Sequence, residues 1–165
     1  MIYRSLIIIR GNSASGKSTV AKKLREVSDR KIAYVEQDNI RRTILKEKET
    51  DAGVNIALIA QVVEFALSRD YDVILEGMLK FRRYGAMLRD LIKKCPENYT
   101  HYFDIPFEET LKRHVTKSIA GEVSKEMLHE WYEPQDFAHF ESEKIIPAPY
   151  SVEQSVQMIV KNAGL

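Results

Sequence analysis

The feature that most narrows the fold is a short apolar run leading directly into a glycine-bounded octet. Leu6-Ile7-Ile8-Ile9 is uninterrupted and β-rich. A strand with one wet face alternates apolar and polar residues. A continuous run instead suits a strand covered on both faces, as in a parallel sheet between helices. Gly11-Asn12-Ser13-Ala14-Ser15-Gly16-Lys17-Ser18 follows and matches G-x-x-x-x-G-K-[ST]. Val20, Leu24 and Val27 then recur at helical spacing from Lys17 to Ser28.

The octet has a physical logic. Its glycines let the backbone wrap tightly, so that N–H groups converge on phosphate oxygens. The helix behind adds its positive N-terminal end. Lys17 can reach the β- and γ-phosphates, and Ser18 can offer its hydroxyl to Mg2+. The span Gly11 to Thr19 is therefore the expected triphosphate site, with ATP and Mg2+ as the expected cofactors. A chance glycine-rich turn would not sit between a buried strand and a helix.

Further strands are expected at Lys31–Val35, Tyr71–Glu76, Tyr99–Asp104 and Lys144–Ile146. Between them lie helical segments. Val54 to Leu67 is apolar almost all round and reads as a largely buried helix. Tyr84, Met87, Leu88, Leu91, Ile92 and Cys95 form an i, i+3, i+4, i+7 stripe that Pro96 ends. Pro106-Phe107-Glu108-Glu109 opens another helix with acids in its first turn. Ser151-Val152-Glu153-Gln154 spells a capping box for the last one. Alternating strands and helices imply an α/β/α sandwich around a mostly parallel five-stranded sheet, formed by one domain over residues 1–165.

The chain has 165 residues and a formal net charge of +1, so no global field favours nucleic acid or an anionic membrane. The apolar N-terminal run is too short to span a bilayer and lacks a cleavage signal. A cytoplasmic location is the default expectation. Cys95, the one cysteine, reads as a buried thiol, and the four histidines have no metal-ligand spacing. No Asn-Lys-x-Asp segment for guanine is present, although GTP stays open as a donor.

From the octet onward the sequence resembles the small P-loop kinases, such as gluconate kinase, shikimate kinase, chloramphenicol phosphotransferase and the zeta-toxin kinases. The resemblance implies ATP-dependent phosphorylation of a small hydroxyl-bearing molecule. Glu36-Gln37-Asp38-Asn39-Ile40-Arg41-Arg42 resembles the Asp-x-x-Arg segment many such kinases carry after this strand, and that resemblance implies Asp38 as the base and Arg41 as a holder of substrate or phosphate. The plain alternative is that Asp38 caps a helix starting near Asn39. Glu76-Gly77, ending a strand, resembles a Walker B acid, which would assist Mg2+ together with Ser18 or position the acceptor. Lys80, Arg82 and Arg83 either bind an anionic acceptor or form the solvated start of the next helix.

Such kinases also carry a cationic lid that excludes water and neutralises the moving phosphoryl group. The corresponding span is about 113–134, with Arg113 as its catalytic arginine and Lys117 or Lys125 as further candidates. Trp131 and Tyr132 either cover a ligand or pack at a rim. Residues Ile146–Ser151 fall where relatives wrap adenine. The readings to be tested are a small-molecule kinase, a nucleotide-binding regulator or slow ATPase, and a nucleic-acid end kinase.

Overall fold

The structure, a computed structural model, describes residues 4–116 and 121–165. Five strands, β1 (Leu6–Gly11), β2 (Ile32–Glu36), β3 (Asp72–Gly77), β4 (Asn98–Asp104) and β5 (Glu143–Pro147), form one sheet. Its order is β2-β3-β1-β4-β5, and all four pairings are parallel. The expected sheet is therefore present, and it is parallel throughout.

β1 lies at the centre and shows why its sequence is unbroken. Leu6 and Ile8 point to one layer with Val73, Leu75 and the helices α2 (Val54–Ser68) and α3 (Phe81–Lys94). Ile7 and Ile9 point to the other, with Ile74, Phe103 and the helices α1 (Lys17–Val27) and α6 (Val152–Ala163). All four side chains are fully buried, each stabilising the fold by about 1.5–3 kcal/mol relative to exposure. Helices α4 (Phe107–His114) and α5 (Lys125–Trp131) follow β4 and contact each other, and Phe107 packs edge-on against His129 and Tyr132. The capping box at Ser151 and Gln154 is formed as expected.

Two expectations change. Helix α2 is not buried all round: Val54 and Phe65 are more than half exposed, and only Asn55, Ile59, Val63 and Ala66 are buried. As a helix on one face of the sheet, it has only one inward stripe. The segment after β2 is a π-helix, Asn39–Ile44, not an ordinary α-helix. Asp38 occupies its N-cap position without capping it: its backbone is helical, and its side chain makes no cap hydrogen bond. Cys95 is buried as expected, and burial raises its thiol pKa.

Candidate active site

Parallel topology brings the C-terminal ends of β1, β2 and β3 to one edge, where α/β sheets place ligands. A cavity of about 510 Å3 opens there. Lys17, Ser18, Asp38, Arg41, Arg82 and Trp131 all line it.

The phosphate loop is built as its residue types require. Gly16 adopts φ +92°, a left-handed geometry that favours glycine. Lys17 Nζ donates to the Asn12 carbonyl at 3.1 Å and lies 3.7 Å from Glu76 Oε1. Ser18 Oγ donates to Glu76 Oε1 at 3.1 Å, and the Tyr34 hydroxyl donates to Glu76 Oε2 at 2.9 Å. Ser15 Oγ is buried and has no hydrogen-bond partner among the described residues. An orphaned hydroxyl and a lysine held by its own loop are what a phosphate-binding loop offers before its ligand arrives.

The carboxylates here are electrostatically linked. Glu36 and Glu76 are paired across β2 and β3. Burial raises the Glu36 pKa, the charge of Glu76 adds to this, and Lys22 opposes it. Burial and both glutamates likewise push Tyr34 upward, so its hydroxyl stays protonated and able to donate. Neither Tyr34 nor Glu36 was marked in the sequence, because nothing in β2 alone reveals that it lies beside Glu76.

Asp38 and the two arginines that follow it are gathered by the π-helix. Asp38 Oδ1 accepts from Arg41 at 3.0 Å and lies 3.5 Å from Arg42 Nε. Arg41 also donates to the Glu47 carbonyl at 3.1 Å. Glu47 in turn accepts from the Val54 and Asn55 backbone amides at 2.6 and 2.9 Å, tying off the start of α2. Hydrogen bonding from Asn55 is the main reason the Glu47 pKa is lowered. Arg41 is thus fixed from two sides, while Asp38 remains half exposed toward the cavity.

A second network sets the loop between β3 and α3. Gln37 Oε1 accepts from the Leu79 amide at 2.9 Å, and Gln37 Nε2 donates to the Tyr84 hydroxyl at 2.8 Å. The Tyr84 hydroxyl in turn donates to Asn55 Oδ1 at 2.9 Å, and burial pushes its pKa up to about 12. Gly77 is required here, since a Cβ would lie 2.5 Å from Gln37 Oε1. From the other side, fully buried Arg10 donates twice to the Leu79 carbonyl, at 3.1 and 3.0 Å. Leu79 is thereby held at φ +42°, unusual for a non-glycine residue. Arg10 also pairs with Asp136 at 2.7 Å and Glu143 at 3.4 Å, and lies over Phe81 and Tyr102. Burial raises the Asp136 pKa, partly opposed by Arg10. An arginine at the end of an apolar strand reads as a surface charge in sequence, and only the fold shows its buried partners.

The basic residues opening α3 divide. Arg83 is engaged by Asp51 at 2.7 Å and Glu49 at 3.4 Å, and Lys80 lies 3.7 Å from Glu133. Arg82 lines the cavity with no ion pair among the described residues.

In the span 113–134, Arg113 belongs to α4 and does not line the cavity. It donates to the Ser15 carbonyl at 2.9 Å and the Ala148 carbonyl at 3.1 Å, joining the phosphate loop to the segment after β5. Arg113 is thus anchored on the phosphate-loop backbone at Ser15, while Asp38 lines the cavity. Lys117 lies outside the described residues. Lys125 is exposed on α5 and does not line the cavity. Trp131 does line it, with Arg42 5.6 Å above its ring. Tyr132 packs at the rim instead, donating to the Ile105 carbonyl at 3.0 Å. The Asn12 side chain clamps Glu133, accepting from its amide at 2.9 Å and donating to its carbonyl at 2.7 Å. Both polar atoms of that side chain are engaged by the Glu133 backbone.

Solved structures share the fold. The Mycobacterium tuberculosis APS kinase CysC, solved with AMPPNP and APS, superposes at TM-score 0.72 with 17% identity over 100% of both chains. A gluconokinase from Sinorhizobium meliloti superposes at TM-score 0.69 with 14% identity over 99% of this chain and 94% of that one. The Pnkp1/Rnl/Hen1 complex matches at 0.56 with 24% identity over 71% of this chain and 41% of that one. No curated protein matches the chain in sequence. The family model described as an AAA domain, AAA_33, matches residues 6–133, so the chain belongs to that family of P-loop kinase-like domains.

Proposed function

We propose that the protein transfers the γ-phosphoryl group of ATP to a hydroxyl of a small molecule. The observation that carries this is one cavity lined both by Lys17 and Ser18 of the phosphate loop and by the Asp38–Arg41 pair. A regulator that only cycles nucleotide needs no second site there.

In this reading the loop from Gly11 to Thr19 holds the triphosphate, and Lys17 moves from Asn12 to the β- and γ-phosphates. Ser18 and Glu76, hard oxygen donors already in contact, fit Mg2+. When bound, that ion would neutralise phosphate charge and orient the γ-phosphoryl group. Tyr34 holds the outer oxygen of Glu76 in place. Asp38, oriented by Arg41 and Arg42, takes the proton of the acceptor hydroxyl. The acceptor oxygen bonds to the γ-phosphorus as the bond to the β,γ-bridging oxygen breaks, and ADP leaves. The span 113–134 supplies the cover: Trp131 closes over the acceptor side, and Arg113 braces the nucleotide side.

The test is ADP release from Mg-ATP across sugars, nucleosides, antibiotics and sugar nucleotides, with Lys17→Ala as control. Stimulation by one compound, lost in Lys17→Ala, is expected. A slow rate indifferent to every added hydroxyl compound would favour a regulator or slow ATPase instead. The fold likeness to Pnkp1 and the cationic cavity wall favour one second reading, an end kinase. It predicts salt-sensitive labelling of a 5′-hydroxyl oligonucleotide.

A further inference from the structure

We infer that the acceptor is an anion, a hydroxyl compound that already carries a phosphate group, held between Arg82, Lys48 and Arg41. The inference deepens the kinase reading above and rests on it for the reacting hydroxyl.

Apart from Lys17 and Glu76, the cavity wall carries six cationic residues and four acidic ones. Ion pairing does not remove the imbalance. Arg83 and Lys80 are matched by Glu49, Asp51 and Glu133. Arg41 and Arg42 share the single carboxylate of Asp38. Lys48 and Arg82 pair with nothing among the described residues. Arg41 is more than nine-tenths buried, and its Nε has no hydrogen-bond partner among the described residues.

The placement of Arg82 points the same way. It stands in the first turn of α3, which contains no acidic residue. The N-terminal end of a helix is already positive, so cations gathered there repel it and attract an anion. A neutral sugar would leave this wall without a counter-charge. A phosphate dianion supplies one, with three acceptor oxygens for the arginine and lysine donors. Trp131, beneath Arg42, adds an aromatic wall for the carbon ring of such a compound.

The experiment titrates matched pairs calorimetrically: ribose 5-phosphate and ribose, glucose 6-phosphate and glucose, AMP and adenosine. Mg2+ and a non-hydrolysable ATP analogue occupy the phosphate loop throughout. The phosphorylated member of at least one pair should bind at least roughly tenfold more tightly, the scale of one charge-assisted hydrogen bond. Arg82→Gln and Lys48→Gln, both at the surface, should each reduce that preference without changing the melting temperature. Equal binding within every pair, or a preference unchanged in the Arg82→Gln, Lys48→Gln double variant, overturns the inference. Turnover confined to uncharged acceptors also overturns it while leaving the kinase reading intact. Arg82-dependent binding of a phosphate compound with no transfer supports the anion site and overturns the kinase reading.

Discussion

His101 should make the stability of this protein fall in mild acid. It is fully buried on β4, paired in register with Ile9 and Lys144, and neither ring nitrogen has a hydrogen-bond partner among the described residues. Burial depresses its pKa from 6.5 to about 4, with nearby Lys144 acting in the same direction and Asn162 opposing. In the unfolded chain the imidazole takes a proton near its ordinary pKa, whereas in the fold it resists until about 4. Between these values the unfolded state binds more protons, so stability declines as the pH falls. At pH 5 the gap of about 1.5 pKa units corresponds to about 2 kcal/mol, or roughly 4–8 °C in melting temperature for a chain of this size. Urea melts of the parent and His101→Leu at pH 7 and pH 5 isolate the effect, since the other titrating groups are common to both. The parent should lose about 2 kcal/mol more than the variant over that interval. Equal losses would show that His101 is either hydrated or charged in the fold, and would refute the reasoning.

Two further predictions concern the site and its support. Asp38→Asn should lower single-turnover phosphoryl transfer by about a hundredfold or more while sparing nucleotide affinity, given the usual worth of a positioned base. Unchanged transfer would remove Asp38 from the chemistry. Arg10→Met should cost about 3–5 kcal/mol in urea melts, because it strands Asp136 and Glu143 and takes both donors from the Leu79 carbonyl. A loss below about 1 kcal/mol would mean that those carboxylates find other partners or water.

The phosphate loop and the acid-arginine pair were legible because their chemistry is local. Lys17 and Ser18 are adjacent, and Asp38 and Arg41 lie one turn apart. The supporting cast was not legible. Gln37, Tyr84 and Asn55 form one chain of hydrogen bonds across separations of 47 and 29 residues. Arg10 meets Asp136 across 126. Arg113 was identified as a residue of interest, but its place could not be read from a helix in isolation. The fold sets it against the carbonyls of Ser15 and Ala148, outside the cavity that Asp38 lines.

By itself the sequence determined the α/β layering, the phosphate loop and the strand that carries it. Those follow from hydrophobic periodicity and from glycine geometry within a few residues. Only the tertiary structure decided which charges are spent and which remain available. Lys80, Arg82 and Arg83 are alike on paper, yet Glu133 engages the first, Asp51 and Glu49 engage the third, and Arg82 is left facing the cavity. The partners that neutralise a charge come from elements distant in sequence, and their pairing depends on how those elements pack.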